Sequence, residues 1–257
     1  MAVLFCSIMP RTARIAIPDV PHHITQRGNN RQDVFFVDDD RLVYLSILKE
    51  HSEKYGLEIL GWCLMTNHIH LVGRPMTEDS LAKALGRTHF RYTQYINKFH
   101  CRSGHLWQNR FYSCPLGREH FWKALRYVEQ NPLRAGLVRQ AWTYPWSSAA
   151  AHVGGSGSDA AELLNLSYWK QISAQVDWRG TLEKLQSRDQ MESIRRNTHT
   201  GRPLAKDAFV SKLEKLLNKR LRPLPIGRPE GKRGLVRSAE RQVVPVPAFR
   251  GCGDENR

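Results

Sequence analysis

The chain has 257 residues, long enough for one substantial domain with an appendage or for two small domains. Its 41% hydrophobic content excludes a wholly disordered protein. Thirty-nine Lys and Arg against 24 Asp and Glu leave a formal net charge of +15, which suits a polyanionic partner because each neutralised phosphate releases counterions. No apolar run approaches the ~18 residues of a spanning helix, and no basic amphipathic anchor stands out. Nucleic acid, not membrane, is therefore the expected partner. Cys6, Cys63, Cys101, Cys114 and Cys252 are scattered and form no C-x-x-C pair, so reduced thiols in a cytoplasmic protein are expected rather than a zinc or redox centre. The apolar start from Met1 to Pro10 has no basic region ahead of it, so a signal peptide is not expected.

From about Arg14 to Ala151 strand and helix patterns alternate with short turns. Pro21 to Arg27 alternates like a strand and stops at the turn signal Gly28-Asn29-Asn30. Asp38-Asp39-Asp40 offers an N-cap for a helix running through Leu42, Leu45 and Leu48 to Lys54, closed by Tyr55-Gly56. Two apolar strands follow, Leu57–Met65 and His68–Gly73, and Thr66-Asn67 between them is short enough for a hairpin turn or a bulge. Thr77 can cap a helix with Leu81, Leu85, Tyr92 and Phe99 at helical spacing, broken at Gly104. Leu106–Leu116 reads as a strand, and Arg118–Gln130 as a helix stopped by Asn131-Pro132. This order predicts an α+β domain, a small mainly antiparallel sheet with helices on one face, of the ferredoxin-like split βαβ kind.

After Ala151 the texture changes. Gly154-Gly155-Ser156-Gly157-Ser158 reads as a flexible linker, followed by a helical stretch around Leu163–Leu185. From Arg195 to Arg257 there are 16 Lys and Arg against 6 Asp and Glu, a net of +10. Within it Lys206–Leu221 is amphipathic through Phe209, Leu213, Leu216 and Leu217, and the remainder reads as disordered. The predicted organisation is a ragged N-terminus over 1–13, the main α+β domain over 14–151, a linker over 152–160, a helical basic extension over 161–225 and a disordered basic tail over 226–257.

Three groups of residues carry chemistry. His68-Ile69-His70 lies in a predicted strand, where side chains two apart share a face, so two imidazoles can ligate one divalent metal while Ile69 points to the core. Taken alone, the pair reads equally as surface or hydrogen-bonded histidines. Tyr127 and Asn131 are i and i+4 beside the apolar stripe of Phe121, Leu125 and Val128, with His120 on the same side. A phenol there can attack a phosphodiester and the amide oxygen can complete a metal shell, although packing explains such a tyrosine as well. Finally, Arg87, Arg91, Tyr92, Tyr95, Lys98 and Arg102, then Trp107, Arg110, Phe111 and Tyr112, interleave cations with rings as single-stranded nucleic acid requires. Trp107 and Phe111 also suit a core.

The motifs Pro21 to Asn29, Met65 to Val72, Ser103 to Phe111 and Tyr127 to Pro132, in that order, resemble the REP-associated tyrosine transposases of the wider HUH single-tyrosine, IS200-like family. The resemblance covers roughly Ala13 to Ala151. It implies a ferredoxin-like core with the tyrosine helix beside the sheet, His68 and His70 as metal-binding histidines, Tyr127 as the catalytic tyrosine and Asn131 as third ligand. It further implies single-stranded DNA with a REP-like hairpin as partner, a covalent 5′-phosphotyrosine, Mg²⁺ or Mn²⁺ as cofactor, a monomer or homodimer, and a cytoplasmic, nucleoid-associated protein. Tyr92 and Tyr95 lie in the wrong motif to be the nucleophile. Arg27 and Arg110 are expected to hold phosphates. Gly201-Arg202-Pro203 and Gly227-Arg228-Pro229 resemble minor-groove hooks, making Arg202 and Arg228 candidate contacts in a region expected to raise hairpin affinity without entering the cleavage step. The rival from another class is a domesticated, non-cleaving DNA- or RNA-hairpin-binding protein.

Overall fold

The computed structural model describes residues 15–154 and 162–223. Strand β1 (His22–Arg27), helix α1 (Asp38–Tyr55), strands β2 (Leu57–Met65) and β3 (His68–Pro75), helix α2 (Ser80–Phe99) and strand β4 (Tyr112–Pro115) follow in order. The sheet order is β2-β3-β1-β4 with every neighbour antiparallel. The α+β, ferredoxin-like arrangement expected from the pattern is the one observed. The β2–β3 connection is a two-residue turn, and the one irregularity of that hairpin falls inside β2, between Ile59 and Gly61. Gly28 ends β1 where no other residue fits, since a Cβ there would lie 2.1 Å from the Gln32 carbonyl oxygen.

Three expectations are corrected. The last strand does not span Leu106–Leu116 but only Tyr112–Pro115. Leu106, Trp107 and Phe111 leave the ladder to bury in the core beside α2, so their apolarity reports burial and not pairing. Second, helices cover both faces of the sheet. Ile24, Trp62, Leu64, Ile69 and Leu71 pack with α1 and α2, while Cys63, Met65, Val72 and Cys114 pack with helix α3 (Arg118–Glu129). A strand apolar on both faces, as β2 is, requires two covers. Third, the chain past Asn131-Pro132 makes one further turn, α4 (Asn131–Arg134), because proline at a helix start loses no hydrogen bond.

The extension packs on this second face. The predicted stretch Leu163–Leu185 is two short helices, α6 (Leu166–Ser173) and α7 (Trp178–Glu183), and they are followed by α8 (Arg188–Thr200) and α9 (Asp207–Leu217). Trp169, Trp178, Leu182 and Ile194 join Phe121, Leu125 and Val128 in one core cluster. At roughly 1.5–3 kcal/mol for each large apolar side chain buried, these contacts make the described extension part of the same compact unit. Leu204 brackets β4 on its open edge through Leu204 N–H to Pro115 carbonyl and Gly117 N–H to Leu204 carbonyl, 2.8 and 2.9 Å. The expected linker beyond Gly154, the N-terminal segment with Cys6 and the tail carrying Arg228 and Cys252 lie outside the described residues. Cys63, Cys101 and Cys114 are free thiols, and no described helix is long and apolar enough to cross a membrane.

A fully buried carboxylate ties these layers together. Glu129 Oε1 accepts from Ser148 Oγ and His152 Nδ1, both 2.5 Å, and Oε2 accepts from Trp178 Nε1 at 2.8 Å. His152, on the short helix α5 (Ala149–His152), also stacks on Trp169 with ring centroids 3.8 Å apart. A carboxyl group at 0% exposure persists only when its oxygens are all answered. Glu129→Ala is expected to destabilise the protein by about 3–5 kcal/mol in urea unfolding and to expose the segment around α6 and α7 to protease first. A midpoint within error of wild type would show the network to be dispensable.

His22 adds a pH dependence. Its Nδ1 donates to the Val20 carbonyl at 2.7 Å and its Nε2 accepts from Ile17 N–H at 3.4 Å, a pattern only the neutral ring satisfies. Burial lowers its pKa from 6.5 to about 4. Between those values the unfolded chain takes up a proton that the folded chain refuses, so stability is complete above pH 6.5 and declines as pH falls toward 4. Urea unfolding at pH 7 and pH 5 should therefore show a drop of somewhat under about 2 kcal/mol from this group alone. His22→Asn should shrink the drop, and equal stability at both pH values would contradict the assignment.

Candidate active site

Alternation along paired strands builds one polar face. In register, Arg27 lies opposite His68, Thr25 opposite His70 and His23 opposite Val72, while β4 sets Tyr112 against Thr25 and Cys114 against His23. Partners across an antiparallel pair share a face, so His23, His68, His70 and Tyr112 look toward α3 and α8 while Ile24, Ile69 and Leu71 look the other way. A cleft of about 610 Å³ opens there. Its lining includes His68, His70, Tyr127, Arg27, Arg195 and Arg196, and no Asp or Glu among the described residues.

The histidines are oriented from behind. Asn67, in the hairpin turn, donates its amide nitrogen to the Arg31 carbonyl at 3.1 Å and accepts from His68 Nδ1 at 2.6 Å, which leaves the His68 Nε2 lone pair for a ligand. A second chain fixes His70. Thr198 Oγ1 donates to the Ile194 carbonyl at 2.7 Å, so it accepts from His23 Nδ1 at 2.7 Å. His23 Nε2 then accepts from His70 Nδ1 at 3.1 Å, and the His70 Nε2 lone pair is left over. Burial, followed by the charge of Arg27, lowers the His68 pKa to about 4, and burial lowers His23 to about 3. Burial, with His68 next, holds His70 well below 6.5. All three are neutral at pH 7, the state a metal ligand requires.

Those two Nε2 atoms, each with its other nitrogen engaged, are the donor set a divalent metal meets in an oriented histidine site. Among the described residues no group of three or more His, Cys, Asp and Glu forms an all-protein cage.

Tyr127 sits on the last turn of α3, buried at 4% exposure against this pair. Its ring is 5.5 Å from that of His70 and 5.7 Å from that of His23, both edge-on. Arg134 of α4 places its guanidinium 4.2 Å from the ring centroid and donates to the Tyr127 carbonyl at 2.7 Å. Arg195 of α8 donates Nε–H to the phenol oxygen at 3.2 Å.

The structure thus brings His68, His70, Tyr127 and Arg27 into one cleft. Arg27 also donates to Gln108 Oε1 at 3.0 Å. Asn131 is one turn past Tyr127, but its amide nitrogen is on the Tyr127 carbonyl at 3.3 Å and it does not line the cleft. Arg87 and Arg91 are exposed on α2, behind the opposite face of the sheet. Arg110 is exposed in the Leu106–Phe111 segment beside the cleft-lining Gln108. Arg202 lies in the cap of α8, where Gly201 takes φ 70° and Arg202 N–H donates to the Asn197 carbonyl at 3.1 Å. Tyr92 is a core residue whose hydroxyl donates to the Val34 carbonyl at 2.7 Å. Pattern reasoning passed over His23, Arg134, Arg195 and Thr198. The period-2 alternation of β1 could have flagged His23, but nothing in the local pattern of α8 links it to Tyr127.

Residues 17–131 match the family model described as transposase, IS200 like. A curated protein of Haemophilus influenzae, provisionally described as a REP-associated tyrosine transposase, is 24% identical over 117 residues, covering 41% of this chain. The chain spans 66% of the length of that relative. A solved structure of a REP-associated tyrosine transposase bound to a REP hairpin aligns with a TM-score of 0.49 and 18% identity, covering 62% of this chain and 93% of that one. A structure described as a transposase from Deinococcus radiodurans aligns with a TM-score of 0.33 and 20% identity, covering 47% of this chain and 97% of that one.

Proposed function

We propose that the chain, whose residues 17–131 match the family model described as transposase, IS200 like, cleaves and rejoins single-stranded DNA beside a REP-like hairpin through Tyr127. The observation carrying this reading is the convergence of the Tyr127 phenol with the neutral His68 and His70 in one cation-lined cleft. The phenol oxygen attacks the phosphodiester phosphorus. As the oxygen–phosphorus bond forms, the bond to the 3′ oxygen breaks, and that oxygen leaves with the electron pair and is protonated. The product is a 5′-phosphotyrosine, and it conserves the energy of the cleaved bond so that a 3′-hydroxyl can later reverse the step without ATP. Arg27 and Arg196 hold flanking phosphates, and the Tyr112 ring, stacked on His199 at 4.9 Å, offers a surface for a base.

In this reading His68 and His70 hold the metal through Nε2. Asn131 is the third ligand by position, and its amide must turn from the Tyr127 carbonyl to serve. When bound, Mg²⁺ or Mn²⁺ supplies charge that polarises a non-bridging phosphate oxygen. One observation favours the non-cleaving hairpin-binding alternative, namely that Tyr127 is only 4% exposed.

Incubation of a labelled hairpin-bearing single strand with Mn²⁺ should give a denaturation-resistant protein–DNA adduct that Tyr127→Phe and EDTA both abolish. Tight hairpin binding with no adduct would support the binder instead. Asn67→Ala and Thr198→Val each release one imidazole from its orienting partner, and calorimetric titration with Mn²⁺ should show affinity weakened by about 10–100-fold. Unchanged affinity in both would remove the histidines from the metal assignment.

A further inference from the structure

Helix α8 lies beyond the residues that match the transposase family, yet it contributes to the cleft beside the nucleophile. Its register, with Ile194 and Thr198 four apart and buried, faces the sheet and α3, which turns the neighbouring Arg195 onto the Tyr127 hydroxyl. Ile194 packs in the core with Leu125 and Val128, so the helix position is held by apolar contact and Arg195 is not needed to dock it. Among the described residues Arg195 makes no ion pair with a carboxylate within 4 Å, unlike Arg74 and Arg222, which are paired with Glu58 and Glu214. Arg134 lies closer to the same phenol ring, 4.2 Å from its centroid, and also holds the Tyr127 carbonyl. Glu192, three residues earlier on α8, adds a favourable charge interaction, but no Asp or Glu among the described residues lines the cleft itself, and Arg195 sets its Nε–H on the oxygen that must bond phosphorus.

We propose, resting on the single-tyrosine reading above, that Arg195 is a further catalytic residue of that reaction, supplied by the helical extension. In cleavage the Tyr127 oxygen–phosphorus bond forms, the phosphorus–3′ oxygen bond breaks, and the phenol proton passes through solvent to balance the released 3′ oxygen. The guanidinium, already against the phenol oxygen, donates to the non-bridging oxygens arriving there, whose negative charge it offsets in the transition state. In rejoining the 3′-hydroxyl attacks phosphorus, the bond to Tyr127 breaks, and Arg195 offsets the charge returning to the phenol oxygen until it is protonated. The extension, expected from sequence to serve affinity alone, thereby enters the chemical step.

The test uses the full chain, wild type beside Arg195→Ala and Arg195→Lys, with a labelled hairpin-bearing strand and Mn²⁺. Single-turnover adduct formation and rejoining are timed, and hairpin Kd is measured by anisotropy. Arg195→Ala should slow both directions by about 100-fold or more while Kd moves less than about 3-fold, the pattern of a cation that acts on the transition state rather than on hairpin binding. Arg195→Lys should recover part of the rate, which a loss of folding would not allow. If wild type forms the adduct and Arg195→Ala forms it equally fast, the inference falls and the tyrosine reading stands. A faster Arg195→Ala also overturns it, showing that α8 restrains the nucleophile. Loss of rate fully accounted for by loss of hairpin affinity does the same. If wild type itself forms no adduct, both readings fall together.

Discussion

The pairing of β1 with β3 is the constraint on which the site depends. Ile24 stands against Leu71, and these side chains with Ile69 are buried at 0% exposure among α1 and α2. That fixes which way the odd and even positions point. A slip of one residue would carry His68 and His70 into the apolar core and turn Ile69 toward the cleft, because the side-chain period of a strand is two. Burying either apolar side chain contributes roughly 1.5–3 kcal/mol, and burying an imidazole without partners costs a comparable amount. Both terms therefore favour the observed register. The turn at Gly28 and the Asn67 hydrogen bonds to Arg31 and His68 anchor the end of the strand pair where the site lies.

From that face the chain builds outward in two layers. Helix α3 covers the inner part of the sheet and delivers Tyr127 at its last turn, beside His70. The extension then covers α3, joined to it by Trp169, Trp178 and the fully buried Glu129. A short basic helix could not hold a position against Tyr127 by charge alone, since exposed ion pairs contribute little. Helix α8 holds its place through Ile194 and Thr198, and charge is left for the cleft. The cations of the chain are accordingly divided. Arg27, Arg195 and Arg196 line the cleft, whereas Arg87 and Arg91 lie behind the opposite face.

Much of this was legible in the pattern of residues. The strand from His68 was readable because alternation of polar and apolar residues has one simple geometric meaning, and α1 was readable from its acidic start and Gly56 close. The segment Leu106–Leu116 misled because apolar residues buried in an irregular segment look the same as those of a strand. Asn131 illustrates a subtler limit. Its spacing from Tyr127 is a helical turn, as expected, but spacing does not say whether a side chain faces a cleft or its own backbone.

By itself the sequence determined the local order of elements, the ferredoxin-like class, the strongly basic charge and the pairing of His68 with His70 on one face. Each of these follows from composition or from a period of two or 3.6, properties carried by neighbours in the chain. Only the tertiary structure decided that His23 and Thr198 orient His70 and that Arg195 meets the Tyr127 hydroxyl. Those contacts join residues 47, 175 and 68 positions apart. No local period encodes such distances; they are set when apolar faces of separate elements find one another and bury.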